Sequence, residues 1–270
     1  MSALLETLAP YVGFSRVGFV NILAFRLRYF TGIITYALNV TIYYFIWSAV
    51  FHSAQSIAGY NLAQMITYIS VGWVIRSFYT NTIDQEMAYE MIEGNIAMNL
   101  IKPVSVQWMW LCRAMGESAF RLVLLTVPTA ILVAFVFHVQ APASRSAFLL
   151  FLPAVLGSFF LMGAINFMIG TCAIPLKSIL ALIRAKYWLI ELLSGLLIPM
   201  SYFPDKVGKA LAWLPFEHIA YTPLQIYLGK LDQPSAVRAL ATQWAWVIGL
   251  LILGDLWWSR ASRKITIQGG

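Results

Sequence analysis

The sequence predicts an all-α integral membrane protein with six transmembrane helices. Of its 270 residues, 60% are hydrophobic and only 11% are charged, whereas ordinary soluble domains carry about 25% charged residues. The few charges are also clustered, so that long stretches contain no Lys, Arg, Asp or Glu. A soluble fold of this length cannot bury so much apolar surface and still keep a polar exterior. The composition therefore excludes a soluble enzyme and a disordered chain.

The six predicted spans occupy charge-poor intervals between polar breaks. From Tyr29 to Ile75 no residue is charged, and the polar stretch at 52–59 divides this interval in two. Each span can cross about 30 Å of hydrocarbon, and backbone groups in lipid must be satisfied internally, so each should be a helix. The spans lie near 31–51, 61–81, 122–139, 146–175, 187–203 and 239–258.

The basic residues predict the orientation of the chain. Six spans put both termini on one side of the membrane. If that side is the cytoplasm, twelve Lys and Arg lie inside, five lie outside, and Arg76 lies within span two. Cytoplasmic loops carry such an excess. We therefore expect cytoplasmic termini, and we attribute the net charge of +7 to topology and not to a nucleic-acid surface.

Residues 14–30 predict an amphipathic helix on the inner leaflet. Apolar side chains recur along the segment, with Arg16, Arg26 and Arg28 between them. This pattern is typical of interfacial helices, whose basic groups face lipid headgroups. The alternative is that the segment is only the basic flank of span one.

The loop after span two predicts a short acidic helix that docks a soluble partner. Three carboxylates at spacings of four and three share one helical face, and two methionines lie beside it. A Gly-Asn pair then ends the helix. The alternative is a solvated connecting helix. The residues of this docking candidate are Glu86, Glu90, Glu93, Met87, Met91, Gly94 and Asn95.

The segment before span six predicts two short apolar helices that are bent by prolines and dip back into the outer half of the membrane. Such re-entrant backbone is tolerated only where protein or a water-filled cavity covers it. The segment is therefore a candidate outer gate, although an ordinary surface loop fits the same pattern. The gate candidates are Pro199, Phe203, Pro204, Pro215 and Phe216.

Two charges, Arg76 and Glu191, fall inside predicted spans. A charge at the bilayer centre costs roughly 2.5–3.5 kcal/mol on insertion scales. Both side chains should therefore face protein or water, and they can pair. The pair then either lines a substrate path or locks two helices together. Asp255 lies near the inner end of span six, where Arg260 is close enough to compensate it.

Sequence motifs for chemistry are missing. The chain has no phosphate-binding loop, no nucleophile elbow and no zinc-protease helix, and the three histidines have no partners at metal-ligand spacing. We therefore expect no catalytic residue, no metal and no cofactor in this chain.

Two motifs resemble those of the ABC-2 family of ATP-binding cassette transporter permeases, and the resemblance extends over nearly the whole chain. The first motif is Glu93-Gly94-Asn95-Ile96 followed by Leu100-Ile101-Lys102-Pro103-Val104-Ser105. The second is Ser194-Gly195-Leu196-Leu197-Ile198-Pro199 with Phe203-Pro204 and Leu214-Pro215-Phe216.

The resemblance implies a bacterial cytoplasmic-membrane exporter. Two permease chains, identical or different, pair with each other, and each carries a soluble ATPase subunit that holds ATP and Mg. A coupling helix near 84–95 passes ATPase motion to the spans and pushes a hydrophobic or amphipathic substrate outward past the re-entrant helices. On this reading Glu86, Glu90, Glu93, Gly94 and Asn95 contact the ATPase.

The expected organisation is a single permease domain over 1–270. It comprises the interfacial segment 1–30, spans one to five in 31–203, the external hairpin 204–237, and span six with its tail in 238–270. Two alternatives stay open. One is an ion-coupled secondary transporter that uses Arg76 and Glu191, and the other is a membrane scaffold without transport.

Overall fold

The computed structural model describes residues 2–23, 27–176 and 179–263, and within them the regular structure is helical apart from one isolated β-bridge between Ile57 and Tyr60. The first seven helices are α1 (Ser2–Leu23), α2 (Leu27–Val50), α3 (Leu62–Tyr79), α4 (Ile83–Ile92), α5 (Ala97–Leu100), α6 (Val106–Arg121) and α7 (Val127–Phe137). The others are α8 (Arg145–Thr171), α9 (Ala173–Leu176), α10 (Leu180–Leu193), α11 (Asp205–Leu211), α12 (Tyr221–Tyr227) and α13 (Gln233–Ser262).

Among the described residues, four helices are long and apolar enough to cross a membrane. They are Thr31–Val50, Val106–Phe137, Arg145–Leu176 and Gln233–Ser262. These four correspond to predicted spans one, three, four and six. The helix of span three begins at Val106 and not near 122, because the Ser105 hydroxyl accepts the Trp108 N–H and caps it there.

The helices at the predicted positions of spans two and five are shorter. Helix α3 has 18 residues and α10 has 14. Helix α10 covers Leu180–Leu193, whereas the prediction was 187–203. It ends early because Gly195 takes a φ of +76°, the left-handed conformation that ends many helices. The six-span arrangement therefore stays a prediction.

Helix α3 lies at the centre of the bundle, where most of its side chains are buried. Behind it α8 packs along α13. The amide of Gln243 in α13 donates to the Ala154 carbonyl of α8 at 2.8 Å and to the His218 carbonyl at 2.7 Å. Such hydrogen bonds join helices where lipid supplies no partner.

The bundle has two different ends. At one, α4 follows α3 and packs against the last turns of α8, where a Cβ on Gly170 would lie 2.7 Å from the Met87 sulfur. At the other, the hairpin (residues 199–232) covers the first turns. There the Lys230 ammonium donates to the Gly59 carbonyl at 2.6 Å. We call these the α4 end and the hairpin end. Helix α13 already begins at Gln233, so the hairpin stops before the predicted 237.

Helix α1 packs against α6. A Cβ on Gly18 would collide with the Arg113 carbonyl, and one on Gly116 with the Ser15 carbonyl. The Ser15 hydroxyl donates to the Cys112 carbonyl at 2.9 Å. The predicted amphipathic segment 14–30 is thus divided: α1 ends at Leu23, α2 begins at Leu27, and Arg26 lies outside the described residues. The placement of this segment on the inner leaflet stays a prediction.

Candidate functional site

An ion pair between α3 and α10 lies at the centre of the candidate site. Arg76 occupies the last turn of α3, and Glu191 occupies the last turn of α10. The Arg76 Nη2 and Nε atoms lie 2.5 and 2.6 Å from Glu191 Oε1. Both side chains are about nine-tenths buried. The structure therefore joins the two intramembrane charges of the sequence, and we call them the central pair.

Aromatic side chains enclose the Arg76 guanidinium. Its Nη2 donates to the Tyr187 hydroxyl at 2.6 Å and its Nη1 to the Tyr36 hydroxyl at 3.2 Å. The guanidinium carbon also lies 5.1 Å from the centre of the Trp73 ring. Each of the three guanidinium nitrogens thus has an acceptor, and this compensates the removal of the cation from water.

A second buried ion pair, between Lys186 and Asp84, escaped the sequence analysis. The Lys186 ammonium donates to Asp84 Oδ2 at 2.6 Å and to Asn166 Oδ1 at 2.7 Å. The Asn166 amide donates in turn to the Asn81 carbonyl and side-chain oxygen, both at 2.9 Å. Lys186 was placed in a loop because span five was predicted to begin at 187. An earlier start would have put Lys186 on the same helix as Glu191, as a second intramembrane charge in need of a partner.

A cavity of about 280 Å³ lies beside the two pairs. Helix α10 forms one wall, and the end of α3, the start of α4 and Met162 of α8 form the others. Its charged lining comprises Arg76, Glu191, Lys186 and Arg184. The first three are paired, whereas Arg184 is exposed and forms no ion pair with any residue that the structure describes.

The acidic helix predicted after span two is α4, and most of its acidic face is occupied within the chain. Glu86 pairs with Arg113 of α6 at 3.0 Å. Glu90 accepts from Asn99 at 2.5 Å, and burial raises its pKa. Glu93 is exposed beyond the helix, where Asn95 donates to it at 2.9 Å. Of these three glutamates, only Glu93 is therefore exposed to solvent.

The methionines of α4 do not form the expected docking face. Met87 is 1% exposed and packs against α8 at Gly170, and Met91 is half-buried. The expectation that Met87 faces a partner was wrong, because the helix turns that side toward α8. The turn after α4 is as predicted: the helix ends at Ile92, and Gly94 takes a φ of +77°.

The α4 end exposes apolar side chains that the sequence analysis did not single out. They surround the turn between α4 and α6 and form the coupling surface, as we name it here. Four of them are more than half exposed. The coupling surface comprises Tyr89, Ile92, Met98 and Ile101.

The candidate gate residues lie in the hairpin at different depths. Pro199 and Pro215 are buried, Phe203 and Phe216 are half-buried, and Pro204 is exposed just before α11. The structure thus places the five along one segment, but it does not gather their side chains into one cluster at the surface.

The hairpin is fastened to the bundle by polar contacts. The Tyr221 N–H donates to the Ser194 carbonyl at 3.0 Å, and the Tyr202 hydroxyl donates to the Ile57 carbonyl at 3.2 Å. Within the hairpin, the buried His218 has its Nδ1 2.9 Å from the Thr222 hydroxyl, and burial lowers the pKa of His218 to about 4. His218 is therefore neutral near pH 7.

The remaining charged groups add little to the candidate site. Arg113 and Glu117, four positions apart on α6, lie 3.8 Å apart, but Arg113 also pairs with Glu86. Among the residues that the structure describes, Asp255 has no ion pair with Arg260, whose guanidinium donates to the Leu256 carbonyl. Nor do three or more His, Cys, Asp or Glu side chains come together there in a group that could hold a metal.

The chain was compared with protein-family models and with curated proteins. A family model described as "ABC-2 family transporter protein" matches residues 37–269. Among curated proteins no match was found. The matched residues include both ion pairs, the cavity, α4 and the hairpin.

Proposed function

The chain belongs to the ABC-2 transporter family, and we propose that it is the membrane-spanning permease subunit of an ATP-driven exporter. The observation that carries this proposal is the family match over 37–269, since members of this family are membrane subunits of transporters whose ATPase is a partner. The four long apolar helices support a place in the membrane. A second permease chain, ATP with Mg on the ATPase, and a bacterial cytoplasmic membrane complete the proposed complex.

The α4 end is the proposed ATPase contact. Its coupling surface offers exposed apolar side chains, with the free Glu93 carboxylate beside them. Helix α4 is tied to α6 through Glu86 and Arg113, and to α10 through Asp84 and Lys186. A displacement of α4 by the ATPase would therefore be passed on to two helices. Glu86 and Glu90 would act in this by holding α4, and Glu93, Gly94 and Asn95 by touching the partner.

Helix α10 is the proposed moving wall of the substrate path. It carries Glu191 and Lys186, one partner of each buried ion pair, and it exposes Trp188 and Leu189. Ion pairs can exchange partners in discrete steps, so a helix held by two of them can take two positions. The hairpin, fastened to α10 through Ser194 and Tyr221, would act as the outer gate.

The test compares coupling-surface variants in a complex of the permease with its ATPase. I92E/I101E puts two charges on residues that are 61% and 75% exposed, so folding should be unaffected. Buried interface side chains contribute about 2 kcal/mol each when they anchor a contact. We therefore expect the affinity for the ATPase to fall at least about tenfold, which corresponds to 1.4 kcal/mol. E90K/E93K should uncouple ATP hydrolysis from the permease.

The matched control is D205K/D232K, which makes the same charge change as E90K/E93K but on exposed residues at the hairpin end. It should leave ATPase binding and stimulation unchanged. Equal effects of the control and the α4-end variants would count against this docking site. If no ATPase binds, and the reconstituted chain instead dissipates an ion gradient in a manner that needs Arg76 and Glu191, the chain is an ion-coupled secondary transporter.

A further inference from the structure

We propose that the cavity beside α10 binds the anionic group of an amphipathic molecule, and that Arg184 is the residue that selects the negative charge. The inference rests on the proposed function, because it names the substrate class of the same path. It adds the sign of the charge, which membership of the family leaves open.

The charge balance of the cavity favours an anion. Arg76 is neutralised by Glu191 and Lys186 by Asp84, both at hydrogen-bond distance. Arg184 is the remaining charge in the lining, and it forms no ion pair with a described residue. Guanidinium groups bind carboxylate, phosphate and sulfate through two parallel hydrogen bonds. An anion that enters the cavity therefore meets a free partner.

A cationic ligand finds no free carboxylate, because Glu191, the one carboxylate in the described lining, is paired with Arg76. Arg76 also occupies the ring of Tyr187, a lining residue, because its guanidinium carbon lies 5.5 Å from the centre of that ring. The Glu191 carboxylate accepts from Arg76 as well. To reach this carboxylate a cation would have to displace Arg76, and it would meet Arg184 with like charge.

The size and surroundings of the cavity indicate an amphipathic ligand. A volume of about 280 Å³ lies just below the usual range of drug-sized pockets, about 300–1,000 Å³. It therefore accommodates a headgroup or one ring, but not a long apolar chain. At its edge α10 exposes Trp188, which lines the cavity, and the neighbouring Leu189; they are 71% and 52% exposed. The apolar part of the ligand would lie along these two side chains.

The experiment uses the purified full chain in nanodiscs of phosphatidylcholine, without an ATPase. Two single-chain probes carry the same photoactivatable alkyl tail, one with a phosphate and one with a trimethylammonium headgroup. Labelled peptides are identified by mass spectrometry. We expect saturable labelling of the peptide with Tyr187 and Trp188 by the phosphate probe, at least about tenfold above the ammonium probe, a difference equivalent to 1.4 kcal/mol.

Three variants test the role of Arg184. R184Q should lower labelling by the phosphate probe about tenfold, whereas R184K should retain it within about threefold because the charge stays. R238Q removes an exposed arginine at the hairpin end and should change nothing. Equal labelling by the two probes, or no loss in R184Q, would overturn the proposal.

A competition separates a lipid-like anion from a soluble one. Unlabelled alkyl phosphate should abolish the labelling, and inorganic phosphate at millimolar concentration should not. Full competition by inorganic phosphate would overturn the amphipathic part of the proposal. Because no ATPase is present, a failure here leaves the permease function standing, and failure of ATPase coupling leaves this binding result standing.

Discussion

Removal of Glu191 should destabilise the protein far more than removal of a partly exposed carboxylate. In E191A the Arg76 guanidinium, 7% exposed, loses its counter-ion but keeps the hydroxyls of Tyr36 and Tyr187 at 3.2 and 2.6 Å. Breaking a buried pair by removing one partner costs about 3–5 kcal/mol. Since two hydroxyl partners remain, we expect the lower end, about 3 kcal/mol.

The matched control is E86A, which breaks the Arg113–Glu86 pair. Its side chains are 31% and 28% exposed, and the charges lie 3.0 Å apart. Pairs in contact with solvent contribute about 0–1 kcal/mol. The two variants thus remove the same chemical group at different burial.

Unfolding free energies would come from titration with sodium dodecyl sulfate in mixed micelles. The double variant R76M/E191M removes the unpaired charge as well, so its stability should lie within about 1 kcal/mol of the unmodified chain. A cost of E191A no greater than that of E86A would refute the reasoning. The reasoning would also be refuted if R76M/E191M lost as much unfolding free energy as R76M and E191M together, because the pair would then have no coupling energy.

Three further changes test other contacts. G116V should lower the unfolding free energy by several kcal/mol in the same titration, because its Cβ would collide with the Ser15 carbonyl where α1 crosses α6. K186M should cost about 3–5 kcal/mol, because it leaves the Asp84 carboxylate buried without its cation. Burial lowers the pKa of His218 from 6.5 to about 4, so the unfolded chain binds more protons in this interval. Stability should therefore fall as the pH drops from 6.5 to 4, and H218Q should reduce that slope.

Each of these expectations has its own contrary result. A G249V variant, which adds a Cβ where nothing lies within 4 Å, should be tolerated, and equal losses in G116V and G249V would contradict the packing argument. A D84N/K186M double variant less stable than K186M alone would contradict the buried-charge argument. An H218Q protein with an unchanged pH slope would show that other groups carry it.

Spans one, three, four and six could be predicted because each has a long interval with few charges. Hydropathy is a poorer guide to the helices at spans two and five. Helix α3 is central and buries polar groups such as Thr67, Ser70 and Arg76, so lipid exposure does not set its composition. Helix α10 stops at Gly195 after 14 residues, and a hydropathy pattern does not reveal such a stop.

The central pair could be predicted because a charge in lipid is costly and the sequence shows that Arg76 and Glu191 fall inside predicted spans. The second pair did not, because the boundary of one predicted span put Lys186 in a loop. The acidic face of α4 was expected to meet a partner, but Arg113 and Asn99 occupy two of its carboxylates. Those partners lie 27 and nine positions along the chain from Glu86 and Glu90, so helical periodicity within α4 could not indicate them.

The most direct test of the permease function is to purify the tagged chain from its native membranes in mild detergent and to identify what accompanies it by mass spectrometry. We predict a soluble subunit with a phosphate-binding loop in defined stoichiometry, lost in I92E/I101E and retained in D205K/D232K. A different permease chain in the same eluate would identify a heterodimer. If the chain elutes without an ATPase under conditions that keep known transporter complexes intact, ATP-driven export by this chain is contradicted.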